Sequence, residues 1–261
     1  MFKRIRLIVS ACLIIVFVVS IGYLRSIRTV TVITYHSIAA IADEDDRLTV
    51  LPKSFNRQMQ FLKDHKYNVI SLERLGELIK SKKAPDKTIA ITFDDGFKDN
   101  YLYAYPVLKR LNFPATIFII VDKVGSSGKR LTWEEIKEMQ GSGLITFGSH
   151  TLSHPYLTEI NSEAELKRQI FDSKKILEQK LGVPVDVFCY PSGRFNAHIK
   201  DLVVQAGYKF AVGTTLGKRF SNFDPYLIKR VRISASSDNL IDFWARVSGY
   251  YNSFRKHSRT N

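Results

Sequence analysis

Cysteine is nearly absent from this 261-residue chain: Cys12 and Cys189 alone exclude a disulfide framework and an all-cysteine zinc site. Its fourteen glycines and eight prolines follow no period, which excludes collagen-like and proline-rich architectures. No internal repeat, low-complexity tract or Pro/Ser-rich linker divides the sequence. Acidic residues are outnumbered, 25 Asp+Glu against 39 Lys+Arg, for a formal net charge of +14. Such a field favours anionic surroundings (nucleic acid, phospholipid or acidic cell-wall polymer) without choosing among them. What is present is globular: 45% apolar residues, 12% aromatic and 25% charged. The length suits one large or two small domains, and a single α/β barrel fits comfortably.

Eighteen residues without charge, Leu7 to Leu24, lie between Arg6 and Arg25. As a helix they would extend about 27 Å, close to the hydrocarbon thickness of a bilayer. Lys3, Arg4 and Arg6 precede the run, which keeps the N-terminus cytoplasmic and sends the remainder across. Val19-Ser20-Ile21-Gly22 is a poor cleavage site, so residues 1–28 read as a cytoplasmic stub and uncleaved membrane anchor rather than a removed signal peptide. The expected location is a bacterial cell membrane, single-pass, with the following domain outside. Residues 255–261, with Arg255, Lys256 and Arg259, read as a solvated basic tail.

Between these ends, residues 29–254 alternate short β-branched runs with helical patterns. Strands are expected at Thr29–Tyr35, Thr88–Phe93, Ala115–Val121, Leu144–Gly148, Asp186–Tyr190, Lys209–Gly213 and Ile228–Ser234. Helices are expected at Ser54–His65, Leu72–Lys82, Asn100–Leu111, Trp133–Gln140, Glu163–Leu181, Ala197–Ala206 and Asn239–Val247. Thr132-x-x-Glu135 and Ser162-x-x-Glu165 are capping boxes, and Gly182 and Gly207 stand where left-handed helix caps belong. This alternation predicts one α/β domain with a parallel sheet, doubly wound or closed into a barrel.

Four clusters carry candidate chemistry, each directly after a predicted strand. Thr92-Phe93-Asp94-Asp95-Gly96 places two adjacent acids where parallel α/β folds put their sites. In His150-Thr151-Leu152-Ser153-His154 the two imidazoles, four apart, would share one face of a helical turn and chelate one ion. A carboxylate with two histidines leaves positions open for water, as a catalytic metal site requires. Phe188-Cys189-Tyr190-Pro191-Ser192-Gly193 ends in a turn able to aim a backbone N–H at an oxyanion. Tyr35-His36-Ser37 closes the first strand. The acidic run Asp43-Glu44-Asp45-Asp46 lacks calcium-loop spacing and reads as a solvated loop.

In order, these residues resemble the polysaccharide deacetylase family (carbohydrate esterase family 4, the NodB-homology domain) over nearly all of Thr31 to Trp244. Tyr35-His36-Ser37 and Phe55-x-x-Gln58-Met59 look like the branch of bacterial poly-N-acetylglucosamine deacetylases. The resemblance implies a distorted (β/α) barrel of about seven strands, removing N-acetyl groups from N-acetylglucosamine units of an extracellular or cell-wall polysaccharide. It implies Asp94 as general base, with Asp95, His150 and His154 holding a divalent metal, usually zinc. Ser192 N–H would hold the oxyanion and His36 would supply the general acid. Tyr35, Tyr190, Pro191 and Arg230 would complete the substrate-binding set.

The chain departs from the family pattern twice. Cys189 stands where an Arg is common, with Arg230 the candidate replacement, and Leu227-Ile228-Lys229 stands where a late Leu-x-His supplies the acid. Three rivals stay open: a two-carboxylate glycosidase, which needs no histidine pair, a small-molecule metal amidase, and a non-catalytic glycan-binding module. Nucleic-acid binding is not expected, because the positive charge is dispersed and no recognition motif appears. A monomer is expected.

Overall fold

The computed structural model describes residues 10, 14–17, 20, 30–39, 48–81, 85, 87–214 and 224–249. Most of the apolar segment 7–24, Cys12, the acidic run 43–46 and the tail 255–261 lie outside the described residues, so the anchor expectation does too. Among the described residues no helix is long and apolar enough to cross a membrane.

Among the described residues eight strands alternate with helices, the seven expected ones in the expected order and β2 in addition: β1 (Thr31–Tyr35), β2 (Asn68–Val69), β3 (Thr88–Phe93), β4 (Ala115–Ile119), β5 (Ile145–Ser149), β6 (Val187–Cys189), β7 (Phe210–Gly213) and β8 (Ile228–Arg232). All the strand pairings are parallel. Strand β1 pairs with β8 on one side and β3 on the other, which closes β1, β3, β4, β5, β6, β7 and β8 into a ring. Strand β2 joins β3 from outside that ring. Its two residues are too short for any periodicity to announce.

The helices are α1 (Pro52–Asp64), α2 (Leu72–Lys80), α3 (Tyr105–Leu111), α4 (Trp133–Gly141), α5 (Glu163–Lys167), α6 (Ser173–Leu181), α7 (Ala197–Gln205) and α8 (Leu240–Val247). Two expected helices are interrupted. A π turn, Asn100–Ala104, precedes α3, and another, Arg168–Asp172, separates α5 from α6. Both halves of the Thr132–Glu135 capping box form. At Ser162 only the hydroxyl caps, because Glu165 is drawn to Arg168 and Gln169 instead. Gly182 and Gly207 are left-handed, with φ of 70° and 82°.

Period-two alternation sorts the strand side chains into two layers. Ile33, Tyr35, Ile89, Ile91, Phe93, Phe188, Tyr190 and Val231 face the helices, where Phe55 and Met59 of α1 join them. Val32, Ala90, Phe118, Val187, Cys189, Val212 and Ile228 fill the ring's interior with Leu72 and Leu75 of α2. That interior is tight at Gly148. A Cβ there would lie 2.5 Å from Phe118 Cε1 and 2.7 Å from Val187 Cγ2. Gly148→Ala is therefore expected to destabilise the fold by ~1–3 kcal/mol through overpacking. Urea unfolding of the purified variant measures it, and an unchanged midpoint would contradict the close approach.

Candidate active site

The strand ends bring the four sequence clusters to one mouth of the ring. Asp94 N–H donates to Tyr35 O at 2.9 Å, and His150 N–H donates to Ile119 O at 2.9 Å, so each functional residue continues a ladder. Immediately beyond, the backbone turns unusual. Asp95, Thr151, His154 and Ser192 all have positive φ, 71°, 67°, 65° and 54°. A left-handed residue with a side chain costs roughly 1–3 kcal/mol and persists where its surroundings over-determine it.

At Asp95 this conformation sends two consecutive carboxylates to different places. Asp95 Oδ1 lies 3.6 Å from His150 Nε2 and 3.9 Å from His154 Nε2. Asp94 points into the ring, where Arg230 grips it through Nη1–Oδ1 at 2.6 Å and Nη2–Oδ2 at 2.7 Å. The pair is buried, with Asp94 3% and Arg230 4% exposed. Arg230 Nη1 also reaches Thr34 Oγ1 and Thr92 Oγ1 at 3.1 and 3.2 Å, and Nη2 lies 3.0 Å from Cys189 Sγ. Burial opposes the charge on Asp94, but Arg230, aided by His36 and His150, outweighs it and holds the carboxyl well below the usual range.

The histidine pair does not lie on a helical turn. Residues 150–154 form a loop bent by the left-handed Thr151 and His154, and it sets the rings edge to face with centroids 4.6 Å apart. His150 Nδ1 bonds Cys189 O at 2.8 Å, leaving Nε2 toward Asp95. Burial pushes this imidazole down to about 4, with Asp94 and Asp95 pulling the other way, so it is neutral and ready to ligate at pH 7.

Asp95, His150 and His154 fit a divalent cation. Each offers one ligand atom, and the three lie within 4.8 Å of one another. Tetrahedral ligands with bonds of roughly 2.1 Å are about 3.4 Å apart, close to the two Asp95–imidazole distances. A second grouping, Asp94, His150 and Cys189, is equally compact. It does not fit a cation: Arg230 already occupies both Asp94 oxygens, and burial keeps the Cys189 thiol well above its usual range.

His36 Nε2 lies 3.8 Å from Asp94 Oδ2. Burial lowers its pKa, with Asp94 and Asp95 pulling upward. Ser192 is exposed at the tip of its turn.

The expected substrate-binding residues do not line the mouth. Tyr35 and Tyr190 are 0% and 1% exposed, their hydroxyls donating to Gln58 Oε1 and Tyr226 O. Strand parity turns both toward the helices. Pro191 is buried in the turn, and Arg230 is committed to Asp94. Sequence reasoning passed over Gln169, whose Oε1 accepts from Leu152 N–H and Ser153 N–H at 3.1 Å. It also passed over Arg130, which donates to Asp95 O at 2.5 Å while stacked over Phe97. Neither carries a local signal, since each meets the site from a distant segment.

The chain is a closed parallel α/β ring with a carboxylate and two imidazoles, a set that could hold a cation, gathered at the carboxyl ends of its strands. Residues 81–211 match the polysaccharide deacetylase family, and the chain belongs to it. YxkH of Bacillus subtilis (strain 168) is 33% identical over 204 residues, 78% of this chain and 71% of that protein. The poly-beta-1,6-N-acetyl-D-glucosamine N-deacetylase of Staphylococcus aureus (strain MRSA252) is 29% identical over 75% of this chain and 72% of its own length. Among solved structures, the Streptococcus pyogenes deacetylase PplD in complex with acetate superposes with TM-score 0.74 at 30% identity, covering 82% of this chain and 97% of that one. The family and these relatives mark the chain as a hydrolytic deacetylase.

Because His150 is neutral when folded but titrates near 6.5 when unfolded, acid favours the unfolded chain. In metal-free protein its share of stability, on the order of 3 kcal/mol, is present above pH 6.5 and lost as the pH falls to about 4. Denaturant titrations at pH 7 and pH 4.5 should show a smaller drop for His150→Gln than for the unaltered chain. Equal drops would remove His150 as the cause.

Proposed function

We propose that this protein is a metal-dependent deacetylase that removes N-acetyl groups from N-acetylglucosamine units of an extracellular or cell-wall polysaccharide. One observation carries the reading: Asp95 faces the two imidazoles while its neighbour Asp94 is withheld from them by Arg230. Two adjacent carboxylates thereby take two jobs.

Asp95, His150 and His154 would hold the cation, and zinc suits this oxygen–nitrogen donor set. When bound, it supplies Lewis acidity that lowers a water's pKa from 15.7 toward about 7 and polarises a carbonyl. Asp94 takes the proton from the attacking water. Its depressed pKa makes it a weak base on its own, so it would need a water whose pKa has been lowered. Arg230 keeps Asp94 ionised and fixes both of its oxygens. Ser192 N–H, at the left-handed turn, is the oxyanion donor, a role worth roughly 3 kcal/mol in comparable sites. His36, beside Asp94, is the acid for the departing amine; because burial lowers its pKa, it first takes up the proton that Asp94 removes from the water, across the 3.8 Å between Nε2 and Oδ2, and then delivers it.

The named substrate of the Staphylococcus aureus relative supports poly-N-acetylglucosamine as the polymer. The apolar run Leu7–Leu24, preceded by Lys3, Arg4 and Arg6, supports a single-pass membrane protein with its barrel outside. We propose that it acts there as a monomer.

Acetate release from poly-N-acetylglucosamine, peptidoglycan and chitin oligomers, with and without a chelator, tests the reading. Release is expected to stop with chelator and return with zinc; chelator-resistant release would sink the metal assignment. Asp94→Asn should keep its metal yet lose ~10²–10⁴ in turnover. Equal metal loss in that variant would reverse the roles of the two aspartates.

A further inference from the structure

Two of the buried amides outside the set of reacting groups stand one in each of the two π turns. Asn100 opens the turn Asn100–Ala104, and Gln169 is second in the turn Arg168–Asp172. Both are 1% exposed. A π turn adds a residue to a helix and shifts the side chains around it, and such turns recur at functional sites.

Asn100 Nδ2 donates to His36 O at 2.8 Å and to Asp99 Oδ1 at 2.9 Å. Ser37 Oγ donates to Asp99 Oδ2 at 2.5 Å, and Asp99 also accepts from the Ile38 backbone. Residues 99 and 100 thus clasp three successive residues of the loop after β1. The imidazole of His36 has little else to orient it. Its Nδ1 is buried without a hydrogen-bond partner among the described residues, and its Nε2 stands 3.8 Å from Asp94. The backbone grip fixes the point from which the ring projects.

Gln169 does the corresponding work for the other loop. Its Oε1 accepts from Leu152 N–H and Ser153 N–H, and its Nε2 donates to Ser153 Oγ at 3.0 Å and Glu165 Oε1 at 2.8 Å. Of these, Leu152 and Ser153 lie between His150 and His154.

We infer that Asn100 and Gln169 are positioning residues, Asn100 for the acid His36 and Gln169 for the metal-ligand loop, so that the two halves of the site are braced separately. The inference rests on the roles proposed above for His36, His150 and His154. Asn100 ties His36 to the segment that carries Asp94 and Asp95, which fixes acid and base relative to each other. Gln169 holds the loop backbone that spaces the imidazoles.

The test pairs zinc titration by calorimetry with steady-state kinetics on the deacetylase. Asn100→Ala and the isosteric Asn100→Asp, which cannot donate to His36 O, should lower kcat by ~10–100-fold, since small misplacements of reacting groups cost that much. KM and zinc affinity should stay within about twofold, the range in which a grip on His36 alone leaves both binding steps intact. In a His36→Ala background neither should cause further loss, because residues acting as a unit are not additive. Gln169→Met should weaken zinc by ~10–100-fold, as second-layer changes at metal sites do. Additive losses at Asn100 and His36, zinc loss in Asn100→Asp, or unchanged zinc affinity in Gln169→Met would each overturn the inference. Full turnover in His36→Ala would instead remove the acid assignment beneath it, a failure of a different kind.

Discussion

A guanidinium and a carboxylate paired inside the ring of strands set the terms for everything at its mouth. Arg230 comes from the last strand and Asp94 from the end of β3, with β1 between them. A buried ion pair is poor evidence of stability, because desolvating both charges offsets much of their attraction. Its value here is directional. With both oxygens engaged, Asp94 has one orientation and one charge state, and of the two adjacent carboxylates it is the left-handed Asp95 that faces the His150–His154 pair. Across the intervening β7, the guanidinium also meets the small Cys189 side chain, with Nη2 3.0 Å from Sγ.

Much of this was legible before any coordinates. The strand–helix alternation gave a parallel α/β sheet, with its closure into a barrel implied by the family resemblance, and the Asp94-Asp95, His150–His154 and Tyr35-His36 clusters gave the mouth, because each sits where a strand ends. The parity of those strands was also available. Ala90, Thr92 and Asp94 share one face, and so do Val187 and Cys189, whereas Tyr35 and Tyr190 fall on the other. Applied to every strand, that alternation would have moved both tyrosines to the helix layer and placed Arg230, two beyond the interior Ile228, inside the ring.

Other features could not be read so directly. The geometry of residues 150–154 depends on two non-glycine residues in left-handed conformations, which spacing alone presents as a helical turn. The π turns are likewise silent, since an apolar periodicity survives one inserted residue at this length. Gln169 and Arg130 act from segments far along the chain, and only tertiary structure reveals their partners. Local pattern reports faces and ends; it does not report who meets across a gap.

The closing of the ring also fixes where the chain enters and leaves it. Thr31 opens β1, and its hydroxyl lies 3.5 Å from the carbonyl of Val247, the last residue of α8. Entry and exit are therefore neighbours at the pole opposite the one bearing His36 and Asp95. The first strand and the last helix are thereby latched to each other at the barrel's base, on the side away from the groups gathered around Asp95.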